Sequence, residues 1–256
     1  MNKHIDLNCD MAESFGVYTL GNDLAIMPLI SSANIACGFH AGDPHVMFRS
    51  ISWARDHGVG VGAHPGYPDM LGFGRRSMGL TPREVYEVTA YQIGAFLGVA
   101  KAMGATPTHV KIHGAMYNDA ARNPVLADAL AQATRDVDNS LVFVGLAGSC
   151  MITAASAHGL KTASEVFADR GYQADGTLVP RSHPQALHLE TDVAVKQVLQ
   201  MVERGTVTAI TGEEVAVRAD SVCLHGDGAH AVVFAGAIRQ ALADRNISVL
   251  GFRRGD

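Results

Sequence analysis

Four short runs of this 256-residue chain alternate polar or small residues with apolar ones: HIDLNCD (4–10), NIACGFH (34–40), GVGAH (60–64) and HVKIH (109–113). Successive side chains of a strand point to opposite faces. The first run then sets Asp6, Asn8 and Asp10 on one face and Ile5, Leu7 and Cys9 on the other. The fourth sets His109, Lys111 and His113 together. Each run leads into a Gly-rich turn or a helical pattern. They read as strands that deliver polar groups into a shared interior.

Helix punctuation separates these strands. Asp43-Pro44 starts a helix that runs through Trp53 and stops at Gly58, with Asp as cap and Pro in the first turn. Thr81-Pro82-Arg83-Glu84 is a capping-box pattern that opens a long helix ending near Gly104. Asn123-Pro124 starts another that ends near Asp138. Further helices are expected from about Ser149 to Gly159, Glu190 to Gly205 and Gly228 to Asn246. Gly58, Gly104, Gly159 and Gly205 sit where a left-handed C-cap is wanted. Between the helices lie β-prone runs at 5–9, 32–38, 59–63, 108–112, 141–146, 162–167, 221–225 and 247–250.

Strand and helix thus alternate almost throughout, the signature of a parallel sheet covered by helices. Seven or eight such units predict an α/β fold of the closed, TIM-like (β/α) barrel kind, and the length suits one barrel. The chain reads as a single barrel domain over 1–256, with an insertion at about 175–219. That insertion holds a turn-rich piece, a helix and a β-prone stretch from Val207 to Val217.

Composition narrows the class. The hydrophobic fraction of 48% and charged fraction of 18% fit a globular protein with a large core. The formal net charge of −5, with no long basic run, argues against a nucleic-acid footprint. Cys9, Cys37, Cys150 and Cys223 are widely spaced, which disfavours a zinc ribbon or a disulfide framework and suits buried reduced thiols. The N-terminal segment lacks an apolar signal core, and no apolar stretch approaches the roughly 20 residues of a membrane helix. A cytoplasmic protein with no membrane association is expected.

In a parallel barrel the site lies at the C-terminal ends of the strands. Those ends carry Asp10 and Glu13, His40 and Asp43, His64 and Tyr67, Lys111 and His113, then Glu165, Asp169 and Arg170, then His225 and Asp227. Two chemistries fit. In the first, Asp10, His40 and His64 from three successive strands ligate Zn²⁺ or a similar divalent metal, which activates water and polarises an amide. In the second, Lys111 binds a carboxylate or phosphate, and Asp10 or Glu165 is the general base. The turn 37–43 places backbone N–H groups before a helix N-terminus, a setting that suits an anion. No Walker motif or GxGxxG follows a strand. Gly72-Phe73-Gly74-Arg75-Arg76 reads as a solvated turn, with a mobile basic lid as the alternative.

The segments DLNCDMAESFG (6–16), SSANIACGFHAGD (31–43), GAHPGYPD (62–69), HVKIHGAMYN (109–118), VGLAGS (144–149), EVFADRGYQADGTLVPRS (165–182), ITGE (210–213) and VCLHGDGAHA (222–231) run in order over nearly the whole chain. Together they resemble the LamB/YcsF family of 5-oxoprolinase A subunits. Two departures from the family pattern are Ala12, where Gly is usual, and Ile112, where Pro is common. The resemblance implies a barrel related to the polysaccharide-deacetylase type. It implies ATP-dependent opening of 5-oxo-L-proline to L-glutamate, with ATP as co-substrate and two partner subunits, B and C.

On that reading Asp10, Lys111 and Glu165 are the catalytic set, and Asp6, Asn8, His113, Arg170 and Asp227 bind substrate. Lys111 or Arg170 would take the lactam carboxylate, and Asp6 or Glu165 its N–H. Apolar surface near Met70-Leu71 and Tyr172 would dock the partners. The alternative is a stand-alone metal-dependent amidase or deacetylase acting on a small lactam or amide. A third class is a non-catalytic scaffold, which would tolerate Ala at Asp10 and Lys111.

Overall fold

A computed structural model describes residues 4–224 and 231–254. The strands are β1 (His4–Met11), β2 (Ser32–Ala36), β3 (Gly60–His64), β4 (Pro107–Lys111), β5 (Val142–Leu146), β6 (Thr162–Phe167), β7 (Thr206–Thr208), β8 (Glu214–Ala216), β9 (Ser221–Leu224) and β10 (Ser248–Val249). The helices are α1 (Asp23–Ile26), α2 (Pro44–Asp56), α3 (Pro82–Ala102), α4 (Gly114–Arg122), α5 (Pro124–Asp138), α6 (Cys150–Ala157), α7 (Thr191–Arg204) and α8 (Ala231–Asp244).

Seven strands close into a parallel barrel in the order β1-β2-β3-β4-β5-β6-β9, and β9 pairs back onto β1. The short β10 adds to the start of β1. Between β6 and β9 lie α7 and the antiparallel hairpin β7–β8.

The local signals act as the sequence argues. Asp43 caps α2 by accepting from Val46 N–H. Thr81 and Glu84 form a reciprocal capping box on α3. Gly58, Gly104, Gly159 and Gly205 have φ of 68°, 66°, 75° and 67°. The helix α4 carries no such signal: His113 occupies its N-cap without a side-chain cap bond.

Ile5, Leu7, Cys9 and Met11 are buried in the main hydrophobic cluster, between the barrel and its helices. The opposite face of β1 carries Asp6, Asn8 and Asp10 into the barrel interior, as the parity argument requires. The barrel is therefore dry and apolar outside its strands and polar within. Burying so many polar groups is tolerable only because they bond one another. Two backbone details serve this interior. At Gly62 a Cβ would collide with the His109 ring, so only glycine fits. Ala12, just past β1, has φ 62°, a left-handed conformation that makes glycine the easier residue at this position.

Candidate functional site

The interior is a continuous hydrogen-bond network built up from the barrel floor. Asp6 lies lowest. Its carboxylate accepts from the hydroxyls of Ser31 at 2.8 Å and Ser32 at 2.6 Å, and from Ser221. Burial pushes its pKa up to about 6, against the lowering effect of those hydroxyls. Above it, Asn8 donates to Glu165 Oε1 at 2.9 Å and to Ser221 Oγ at 2.7 Å. Asn34, paired with Asp10 in the β1–β2 register, donates to Asn8 Oδ1 at 2.7 Å and to Asp10 Oδ1 at 2.9 Å. The Asn34 oxygen accepts from His109 Nε2 at 2.8 Å. Burial, with Lys111 nearby, lowers the His109 pKa to about 3, so that ring is neutral.

Lys111 is the charge at the centre. Its Nζ donates to Asp10 Oδ1 at 2.6 Å and Cys223 Sγ at 3.1 Å, and lies 3.5 Å from Glu165 Oε1. Burial alone would lower its pKa, but Asp10, Cys223 and Glu165 outweigh it and hold the ammonium well above the usual range. Lys111 is thus a fixed cation and not a base. Glu165 is fully buried, and its Oε2 accepts from Tyr117 OH at 2.7 Å. Burial, then Glu165, raises the Tyr117 pKa and keeps the phenol protonated.

A second cluster adjoins the first. Glu13, His40, His64 and His113 each offer one ligand atom, and these atoms lie within 4.8 Å of one another. This is a group that could hold a metal ion. His64 Nε2 is also 3.3 Å from Asp10 Oδ2, which links the two clusters. Burial, reinforced by the neighbouring imidazoles, depresses the pKa of His40 and His113 and leaves both neutral. The turn after the Met70–Gly72 helical turn walls this cluster. Phe73, at φ 53°, turns its carbonyl onto His113 Nε2, 2.8 Å away. A Cβ on Gly74 would come within 2.7 Å of His40. Phe73 and Gly74 are therefore part of the wall of the site, while Arg75 and Arg76 are exposed, as in a solvated turn.

A cavity of about 510 Å³ opens above both clusters. Asp10, Glu13, Lys111, His113, Tyr117 and Arg170 are among the residues that line it. This size suits a small-molecule site.

The expected residues therefore fall into tiers. Asp10, Lys111 and His113 meet the cavity. Asp6, Asn8 and Glu165 lie beneath it, bonded to other side chains, and are not cavity walls. In this structure their polar atoms bond Ser31, Ser32, Ser221, Asn34 and Tyr117. Arg170 lines the cavity, but its Nε donates to the Ala186 carbonyl at 3.1 Å and its Nη2 to the Val179 carbonyl at 2.7 Å. These bonds make it a brace for the loop after β6. Asp227, with His225, lies outside the described residues. His40 and His64 do come together, but the set that converges adds Glu13 and His113.

The anion reading of the 37–43 turn also changes. Asp43 itself caps α2 and accepts from Gly16 N–H, which fills that helix end with a carboxylate. Tyr172 is fully buried, its oxygen accepting from Phe167 N–H at 2.7 Å, so it offers no docking surface. Leu71, by contrast, is 97% exposed. The four cysteines are free thiols. Among the described residues no helix is long and apolar enough to cross a membrane.

A closed parallel barrel whose strand ends carry ionised groups and a His/Glu cluster able to hold a metal to one cavity defines an α/β-barrel protein with an enzyme-like site. The chain belongs to the LamB/YcsF family, whose model matches residues 5–255. It is 56% identical to the 5-oxoprolinase A subunit of Tolumonas auensis over 96% of this chain and 98% of that protein. It is 54% identical to the protein of the same name in Bacillus subtilis, over 96% of this chain and 95% of that one. The solved "Lactam Utilization Protein" of Thermus thermophilus superposes with a TM-score of 0.92 at 44% identity, covering 97% of this chain and all of that one.

Proposed function

We propose that this chain is the A subunit of a 5-oxoprolinase, which opens 5-oxo-L-proline to L-glutamate with ATP and two partner subunits, B and C. The near full-length similarity to proteins named as the A subunit of 5-oxoprolinase carries this reading. The free thiols suit the reducing cytoplasm, where we place the reaction.

The chemistry explains the need for ATP. A five-membered lactam is an unstrained amide with a weakly electrophilic carbonyl. Phosphoryl transfer to the amide oxygen activates that carbon. Water then adds, the C–N bond breaks, and the ring nitrogen leaves as an amine that needs a proton. The acyl phosphate so formed is hydrolysed by a second water, giving glutamate and phosphate.

Within the cavity, Asp10 is our choice for the base that takes the proton of the attacking water. Lys111 is a fixed cation 2.6 Å from it and would face the substrate carboxylate or the developing oxyanion. Asn34 and Glu165 position this pair from below. Tyr117, on the cavity wall, holds Glu165 in place. A divalent ion beside the cavity would add Lewis acidity at the carbonyl.

The Glu13–His113 side of the cavity favours one second reading, a stand-alone metal-dependent amidase. The test is glutamate release from 5-oxoproline by this chain, alone and with partner subunits, with and without ATP. Release only with partners and ATP supports the first reading. ATP-independent release by this chain alone supports the second.

A further inference from the structure

The cavity carries cations at two levels. Lys111, at its floor, is buried and bonded to Asp10. Arg75, Arg122 and Arg181 line the same cavity but are exposed, so they stand at its rim. They come from three parts of the fold: Arg75 from the segment between β3 and α3, Arg122 from the end of α4, and Arg181 from the loop between β6 and α7. Among the described lining residues five are Lys or Arg and three are Asp or Glu, in a chain whose formal net charge is −5. The cavity is thus cationic in a chain that is acidic overall. We propose that Arg75, Arg122 and Arg181 form a phosphoryl-binding subsite at the rim, which takes the phosphate of a phosphorylated lactam whose carboxylate meets Lys111. This deepens the proposed function and rests on its phosphorylation step.

The rim side chains are held in place. The Arg75 guanidinium lies over the Phe73 ring, 4.8 Å from its centroid. Arg122 Nη2 donates to Thr177 Oγ1 at 3.1 Å. The ring and the hydroxyl orient these guanidiniums without themselves cancelling the charge. Arg76, the neighbour of Arg75, is instead paired with Asp69. The buried Arg170 shares the cavity wall and donates to two backbone carbonyls. Burial, then Arg181, lowers its pKa to about 10, with Arg75 pushing the same way and Asp169 opposing. The guanidiniums therefore repel one another across the cavity. An anion bound among them relieves that repulsion.

Charge and donor shape select the anion. A lone carboxylate is matched by one cation, which Lys111 supplies. Three guanidiniums present planar forks of N–H donors, a set that suits the terminal oxygens of a phosphate. A lactam phosphorylated on its amide oxygen carries a carboxylate at one end and a phosphate at the other. So does the acyl phosphate that follows ring opening. Lys111 at the floor and the arginines at the rim offer a cation to each end. Free 5-oxoproline has only the carboxylate and leaves the rim unused. The subsite would therefore favour the activated lactam over the free one.

The experiment needs no turnover. The full-length chain is titrated by calorimetry with a non-hydrolysable phosphonate analogue of γ-glutamyl phosphate, and separately with glutamate, 5-oxoproline, inorganic phosphate and ADP. The analogue should bind at least about tenfold more tightly than glutamate or inorganic phosphate. Arg122→Gln and Arg181→Gln should each weaken the analogue at least about tenfold and change 5-oxoproline affinity less than about twofold. Both side chains are exposed, so the fold should tolerate the changes. Should a variant not fold, the wild-type preference for the analogue over glutamate, and its weakening with salt, decide on their own. An analogue that binds no more tightly than glutamate overturns the proposal. So does analogue binding unchanged in both folded variants, or a 5-oxoproline affinity that falls as far as the analogue's. ADP that outbinds the analogue and weakens in the same variants also overturns it, because the arginines would then serve the nucleotide. Glutamate formation by the complete assembly is a separate readout, so failure of this subsite and failure of the proposed function are told apart.

Discussion

Lys111 Nζ donates to Asp10 Oδ1 across 2.6 Å of barrel interior, joining the fourth strand to the first. The pair couples charge at the cavity floor to the barrel's closure. Asp10→Asn keeps the shape and the Asn34 contact, so the fold should survive. Activity of the assembled enzyme should fall at least about a hundredfold, the lower end of general acid–base effects. Lys111→Ala should fall as far, and should also lose about 3–5 kcal/mol of stability, because Asp10 and Glu165 are left without their cation. Rate assays and denaturant unfolding check both. Near-normal rates in both variants would remove these residues from the chemistry.

Tyr117 OH donates to Glu165 Oε2 at 2.7 Å, one layer below the cavity. Tyr117→Phe leaves a buried carboxylate oxygen short of one donor. A stability loss of about 1–3 kcal/mol is expected, the range for leaving a buried acceptor unsatisfied. The unfolding midpoint measures it. An unchanged midpoint would mean that Glu165 does not depend on this phenol.

Much of this arrangement is legible in the sequence. The two-residue period of 4–10 and 109–113 is enough to place Asp10, Lys111 and His113 on one inner surface. The capping signals at Asp43, Thr81 and Asn123 mark helix starts correctly because each side chain bonds the backbone it caps. What escapes is of two kinds. The helix α4 has no capping side chain, so Tyr117, which it carries, goes unread. Depth along a strand is also invisible to parity. Asp6 and Asp10 share a face, yet one is sealed by serines and the other meets the cavity. Asn34 and Cys223 belong to the working network, but their partners lie on other strands and no local motif announces them.

Asp6 should tie stability to pH. An ordinary aspartate titrates near 3.8, and burial raises Asp6 to about 6 in the folded protein. The folded state therefore holds this proton more tightly than the unfolded chain. The stability so gained is present below about pH 3.8 and is lost as pH rises through about 6. A difference of about two pH units corresponds to about 3 kcal/mol. Asp6→Asn should flatten the stability profile between about pH 4 and 7 relative to wild type. Parallel profiles from denaturant melts across that range would contradict the assignment.

Gly74 has φ 62°, and a Cβ there would lie 2.7 Å from His40 Cβ and 2.8 Å from the His113 ring. Gly74→Ala combines a left-handed penalty of about 1–2 kcal/mol with that clash. The unfolding midpoint should fall. A variant as stable as wild type would show that this wall yields freely.

The central claim is that this chain supplies the lactam-opening site of an ATP-dependent 5-oxoprolinase. The most direct measurement follows glutamate and ADP together from 5-oxoproline, using this chain reconstituted with its two partner subunits. Glutamate release is predicted only when ATP, both partners and wild-type chain are present. Replacing that chain with Asp10→Asn should lower the rate at least about a hundredfold. Glutamate formed by this chain alone without ATP, or no glutamate from the complete mixture, would contradict the claim.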